Sequence, residues 1–216
     1  MSCMALVTRF GSYPDVFAKY VRPTRMADFD VAFVKKQANI LAQEAKTDYQ
    51  AIKLAHEFVA HLPIGFDRET SPASVILKKG RGQCITKTTL FVALLRGIGV
   101  PCRVHGWRVH KIVHKKRMPA LVYAFSPKTT LFTYPEVYYK DTWMLLSEAL
   151  VTKGEPDWNV CPFDNAIARK HPLKPEWIAE DLGVFWHPDT FVEQHGTNHG
   201  GWRNLAFPIA QFLLNK

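Results

Sequence analysis

The chain has 216 residues, is 47% hydrophobic and 22% charged, and carries a formal net charge of +9, a balance suited to one compact domain with a sizeable core. No apolar run approaches the roughly 18 residues of a membrane span, and the opening MSCMALVTRFGSYPDVF is too weakly apolar for a secretory signal, so the cytoplasm is the expected compartment. The four cysteines, Cys3, Cys84, Cys102 and Cys161, form no CxxC pair; they read as reduced thiols, with no disulfide framework and no zinc site.

Residues 31–43 (VAFVKKQANILAQ) and 48–62 (DYQAIKLAHEFVAHL) have helical periodicity. In the second, Ile52, Ala55, Phe58, Val59 and Leu62 share a face, Thr47 or Asp48 can cap the start, and Pro63 and Gly65 stop the helix. SPASVILKKG predicts a short helix with Ser71 as N-cap, Pro72 in the first turn and Gly80 as the stop. The helix after Cys84 carries Leu90, Phe91, Ala93, Leu94 and Leu95, apolar on nearly every side, which places it at the domain centre. Gly97, Gly99 and Pro101 end it. Strand-like runs follow at 102–109, 119–125, 131–139 and 142–147, with Lys140-Asp141 as a tight turn between the last two. Pro135 inside its run predicts an edge or a bulge. Residues 155–175 read as irregular, 175–182 as a helical turn and 207–214 as a terminal helix. Helices first and an antiparallel sheet second predict an α+β fold.

The stretch GRGQCITKTTL sets Cys84 at a helix start, where unpaired N–H groups and the helix dipole favour thiolate. The same N–H groups can hold the oxyanion of an acyl intermediate. A small residue opening a buried helix fits the pattern as well, and on these residues alone both accounts stand. Gln83 can offer an amide donor to an oxyanion, and Lys87 can steady a thiolate or an anionic substrate. Trp107, Phe132 and Tyr134 can line an aromatic pocket beside the sulfur or pack in the core. The basic run RVHKIVHKKR, residues 108–117, has five Lys or Arg and no acid. It suits an acidic carrier protein or a phosphorylated substrate, or is an ordinary solvated face. Nucleic acid is not the expected partner, since the charge comes with no reader motif. His105, His110 and His114 are spaced five and four apart on a strand-like run, which does not converge on one metal ion. His195 and His199 lie in a glycine-rich loop, QHGTNHGGWRN, that could fold over a pocket or sit at the surface.

SPASVILKKGRGQC, followed by a buried helix ending in ALLRGIGVPCRV, resembles the core of transglutaminase-like cysteine enzymes. TYPEVYYKDTWMLL is similar to that superfamily's aromatic–x–Glu–Val–Tyr run with its following tryptophan, and PEWIAEDLGVFWHPDTF to a later stretch of its bacterial hydrolase group. The resemblance implies a papain-like core over about 45–191, with the Cys84 helix against an antiparallel sheet, an extension over 192–216, and a single domain over residues 1–216. It also implies that Cys84 is the nucleophile. The superfamily's catalytic histidine starts the first of those strands, where this chain has Phe132-Thr133-Tyr134-Pro135, and there is no histidine between His114 and His171. The usual aspartate falls near Ser147 or Glu148. Cys84 therefore carries over and the other two do not, which makes His110 the expected substitute base and His105 the second choice. The expected function is a cysteine-dependent hydrolase or acyltransferase acting on an acyl, amide or thioester group. It would use no cofactor or metal, and its partners would be a small-molecule, acyl or peptide substrate and an acidic carrier protein. The rival expectation is a degenerate domain that binds an acidic partner or small ligand without turnover.

Overall fold

A computed structural model describes residues 5–7, 12–63, 65, 67–115, 120–146 and 175–196. A small pair of strands, β1 (Ala5–Val7) and β2 (Ser12–Pro14), leads into a 3-10 helix at Asp15–Val21. Four helices follow: α1 (Ala32–Glu44), α2 (Asp48–His61), α3 (Ala73–Lys79) and α4 (Cys84–Ile98). Then come β3 (Cys102–His110), α5 (Ala120–Phe125), β4 (Thr129–Tyr139), β5 (Thr142–Leu145), β6 (Ile178–Phe185) and α6 (Pro188–His195). The main sheet runs β5-β4-β3-β6 and is antiparallel throughout. The α+β expectation holds, with α4 at the centre. Every α4 residue from Ile85 to Arg96 is buried, packed among α1, α2, α3 and β4.

The local signals explain most boundaries. Thr47 caps α2 by accepting from the Gln50 N–H at 3.2 Å. Gly80 and Gly99 close α3 and α4 with φ of +63° and +95°, the left-handed region that glycine adopts without strain. Lys140 and Asp141 both have positive φ, as a two-residue hairpin turn demands. Ser71, however, is not the cap of α3. Pro72 holds that place, and the helix's first N–H groups bond instead to Met26 O (from Ala73, 2.8 Å) and Asp28 Oδ1 (from Ser74, 2.9 Å).

Three further expectations are corrected. Residues 120–125 form helix α5 rather than a strand; Lys111 Nζ reaches the carbonyls of Tyr123 and Ser126 and caps its end. The helical turn expected over 175–182 is confined to Pro175–Trp177, and Ile178–Phe185 is strand β6, paired along β3. Pro135 lies in an interior strand without a bulge toward β3. A strand residue points its N–H and C=O to the same side. Pro135 O accepts from Leu146 N at 2.8 Å, so its missing N–H faces the β5 flank just past the last paired residue, Leu145. The expectations for 155–174 and 207–214 lie outside the described residues.

Strand alternation divides the sheet into two faces. The Thr133 hydroxyl bonds the Thr88 hydroxyl of α4 at 3.1 Å, and the Tyr139 ring meets Tyr49 of α2 at 6.1 Å. Leu131, Thr133, Pro135, Val137 and Tyr139 therefore face the helices, together with the β3 residues Arg108, Gly106, Val104 and Cys102 paired to the first four, and with His110, the partner of Thr129. Phe132, Tyr134, Glu136 and Tyr138 face the other way, with Arg103, His105 and Trp107. On this outer face the first 3-10 helix packs Phe17 on Tyr138 (4.3 Å) and Tyr20 on Trp143 (4.9 Å).

Candidate active site at the start of α4

The turn before α4 is fixed by main-chain bonds to the segment after α2: Gly82 N to Pro63 O (3.1 Å) and Gly65 N to Gly82 O (3.0 Å). A β-carbon on Gly82 would crowd Thr86 Oγ1 and Ile76, which is why glycine stands there. Gln83 is the N-cap. Its side chain accepts from the Thr86 N–H while the Thr86 hydroxyl accepts from the Gln83 N–H at 3.0 Å. The Gln83 amide nitrogen donates to Asp67 O at 2.9 Å, so this end of the side chain is engaged in holding the turn. Cys84 is the first residue of α4, half-buried at the head of an otherwise buried helix and at the positive end of its dipole. Its side chain packs against both core clusters.

Lys87, one turn on, is buried, and its Nζ donates to Leu62 O (2.8 Å) and Ala60 O (3.3 Å) at the end of α2. Its ammonium caps a helix C-terminus. Trp107, Phe132 and Tyr134, all buried, lie in the main core cluster against which Cys84 packs and share the sheet face that carries His105. His105 stacks on Trp107 (3.9 Å, 8°), Tyr134 meets Trp107 edge-on at 5.5 Å, and Phe132 meets Tyr134 at 5.0 Å. On the helix side a small apolar cluster of Met26, Ile85, Leu131, Phe185, Phe191 and Val192 has Cys84 and Leu182 packed against it. Leu131 and Phe191 were missed by sequence reasoning. The period of two along LFTYPEVYY separates Leu131 and Thr133 from Phe132 and Tyr134, but only the packing of α4 decides which set faces the thiol.

The two expected bases are separated by the sheet. His110 pairs with Thr129 and projects from the helix-side face, two positions beyond Arg108, the partner of Leu131; it is exposed. His105 projects from the outer face. Its Nδ1 lies 2.9 Å from Glu136 Oε1 and its Nε2 2.8 Å from Asp181 Oδ1, while Arg103 Nε donates to Glu136 Oε2 at 2.6 Å. Burial alone would lower the His105 pKa, but the hydrogen bonds to Glu136 and Asp181 outweigh it and raise the value. Within the basic run, Arg108 pairs with Glu180 at 3.1 Å, Lys111 caps α5 and Lys115 is exposed. Ser147 and Glu148 lie outside the described residues, as do Cys3 and Cys161. Among the described residues no group of His, Cys, Asp and Glu is arranged to hold a metal ion, and no helix is long and apolar enough to cross a membrane.

A family model described as the transglutaminase-like superfamily matches residues 35–147, just over half of the chain. Among solved structures, a candidate cysteine protease from Cytophaga hutchinsonii superposes with a TM-score of 0.50 at 14% identity, over 63% of this chain and 43% of that one. A candidate protease from Parabacteroides distasonis gives a TM-score of 0.40 at 9% identity, over 61% of this chain and 25% of its own. The chain thus spans less than half the length of either solved protein. No curated protein matches. The matched segment runs from α1 through β5 and includes the capped turn, Cys84 and the whole of α4. With its cysteine-headed central helix against an antiparallel sheet, the chain belongs to the transglutaminase-like superfamily.

Proposed function

We propose that this protein is a cysteine-dependent hydrolase or acyltransferase with Cys84 as its nucleophile, acting on an acyl, amide or thioester group. The observation that carries this reading is Cys84 itself, partly exposed at the head of a helix whose residues from Ile85 to Arg96 are all buried. The thiolate adds to the carbonyl carbon, and first-turn N–H groups of α4 other than that of Thr86, which the Gln83 side chain takes, stabilise the oxyanion as charge builds on oxygen. Collapse breaks the bond to the leaving group and leaves an acyl-thioester on Cys84, which water or an acceptor nucleophile then resolves. His110, exposed on the helix-side face, is the base of choice. An amine must be protonated to leave, whereas a thiolate leaves unaided, so activated thioesters are the favoured substrate class.

The degenerate, binding-only reading is favoured by one observation. The helix-facing positions at the start of β4 are taken by Leu131 and Thr133, both buried, with the Thr133 hydroxyl committed to Thr88. In that reading the basic run recruits an acidic partner, with Lys115 as its exposed charge.

One experiment separates the two. Turnover of an acyl thioester by wild type, lost in Cys84→Ser and lowered roughly a hundredfold in His110→Ala, supports the enzyme. The pH at which Cys84 alkylation inflects should also move upward in His110→Ala, because an imidazolium partner lowers a thiol pKa. Turnover that survives Cys84→Ser overturns the proposal; binding without turnover in wild type supports the degenerate domain.

A further inference from the structure

The outer face of the sheet holds a compact set of ionisable side chains that the proposed chemistry does not use. The β3–β6 register shifts between Gly106, opposite Gly183, and Trp107, opposite Asp181, so Leu182 is the extra residue of a bulge. Gly183 takes φ +81°, and its N–H donates to Asp181 Oδ1 at 2.8 Å. The bulge aims Asp181 at His105 Nε2, while its neighbour Leu182 packs against the apolar cluster that Cys84 also touches. Beyond β6 the chain turns into α6, whose Phe191 belongs to that cluster and lies so close over Gly106 that a β-carbon there would overlap its ring.

Each nitrogen of His105 faces a carboxylate oxygen, and an ionised carboxylate only accepts. Both bonds exist together only when the ring carries two N–H groups. The charged groups facing it are Arg103 from its own strand, Glu136 from β4 and Asp181 from β6; Glu180 of β6 is taken by Arg108. With His105 protonated, two positive charges balance two negative ones. With it neutral, one lone pair opposes a carboxylate.

We propose that His105 is a proton-operated clamp: as an imidazolium it ties β6 to β4 through Asp181 and Glu136, and loss of one proton loosens β6 and the α6 cover of the Cys84 cluster. Its consequence for catalysis rests on Cys84 being the reacting group. The direction follows from linkage. The folded-state His105 pKa is raised, so the clamp is fully present below the ordinary histidine range and is lost as pH rises through the raised value. Glu136 and Asp181 have lowered pKa values and stay ionised across that window: burial raises each, but the hydrogen bond to His105 and the further donors and cations around them prevail.

Hydrogen exchange over residues 178–195 between pH 6 and 9, corrected for the intrinsic rate, tests the clamp. Protection in wild type should step down with rising pH, by about tenfold for each unit by which folding raises the His105 pKa. In His105→Gln the step should vanish, with protection low at every pH, and Cys84 should be alkylated faster than in wild type at pH 6. In Asp181→Asn the step should move to lower pH, because one carboxylate partner is gone. A pH-independent wild type, or an unchanged step in His105→Gln, overturns the clamp. Turnover surviving Cys84→Ser overturns the proposed function instead and leaves the exchange step intact.

Discussion

At its first turn α4 leaves Cys84 half-buried and relies on local bonds, Gln83 with Thr86 and Gln83 with Asp67, to hold the chain in place. At its last turn the arrangement is reversed. Arg96, almost fully buried, donates to Cys102 O from Nε (3.1 Å) and Nη2 (2.8 Å), to Arg22 O from Nη1 (3.2 Å), and to Trp186 O. Burial lowers its pKa to about 10, which still leaves it charged at neutral pH. One cation thus ties together the chain before α1, the start of β3 and the end of β6. A thiol stands near each end, and their fates differ: Cys102 is fully buried and its pKa is pushed up by burial to about 12. The contrast shows one helix sealing a sulfur at its structural end while presenting another at the end where the dipole favours thiolate.

The sharpest way to break this contrast is competitive alkylation of the folded protein. At pH 8 a thiol with a pKa of about 12 is thiolate in only about one molecule in ten thousand. Cys84 should therefore react with iodoacetamide at least about a thousandfold faster than Cys102, read by mass spectrometry of the labelled peptides. Comparable rates would mean that the two ends are chemically alike.

The next largest effect should come from the structural end. Arg96→Met leaves the carbonyls of Cys102, Arg22 and Trp186 without their buried donor, at about 1–3 kcal/mol for each group left unsatisfied. A total loss of about 3 kcal/mol or more in urea denaturation is expected, and a loss below about 1 kcal/mol would show that other donors replace the guanidinium. At the reactive end Gln83→Ala removes half of the capping box and the bond to Asp67 O, and should cost only about 1 kcal/mol by the same measurement. If Gln83→Ala proved the more damaging of the two, the roles assigned to the two ends would be exchanged.

How far these features can be read from sequence depends on whether their cause is local. Gly80 and Gly99 mark helix ends because a left-handed residue is needed there, and the unbroken apolar surface of α4 announces a central helix. The same locality made Cys84 legible. β6 was hidden because its partner is far away in the chain, its alternation is broken at Leu182-Gly183, and IAED carries charges that belong to an outer strand. α5 was mistaken for a strand because ALVYAF is rich in residues that strands favour, while Lys111, which closes its end, comes from outside the segment. Lys87 was read as a group for the thiol or substrate because its one-turn spacing from Cys84 is visible, whereas the α2 carbonyls that receive it are brought there only by packing. His105 and His110 look equivalent along the chain; the strand pairing assigns them to opposite faces.

Among the described residues the sheet ends in β5 on one side and β6 on the other. β5 is only four residues long, but β6 has eight and offers a row of main-chain donors and acceptors on which another chain could pair. The bulge at Leu182-Gly183 spoils that template by twisting the strand, so a second copy adding edge to edge would meet a broken row of donors and acceptors. The irregularity that aims Asp181 at His105 thereby also guards against self-association, and a straightened β6 would trade this protection for a longer, smoother seam prone to fibrous aggregation.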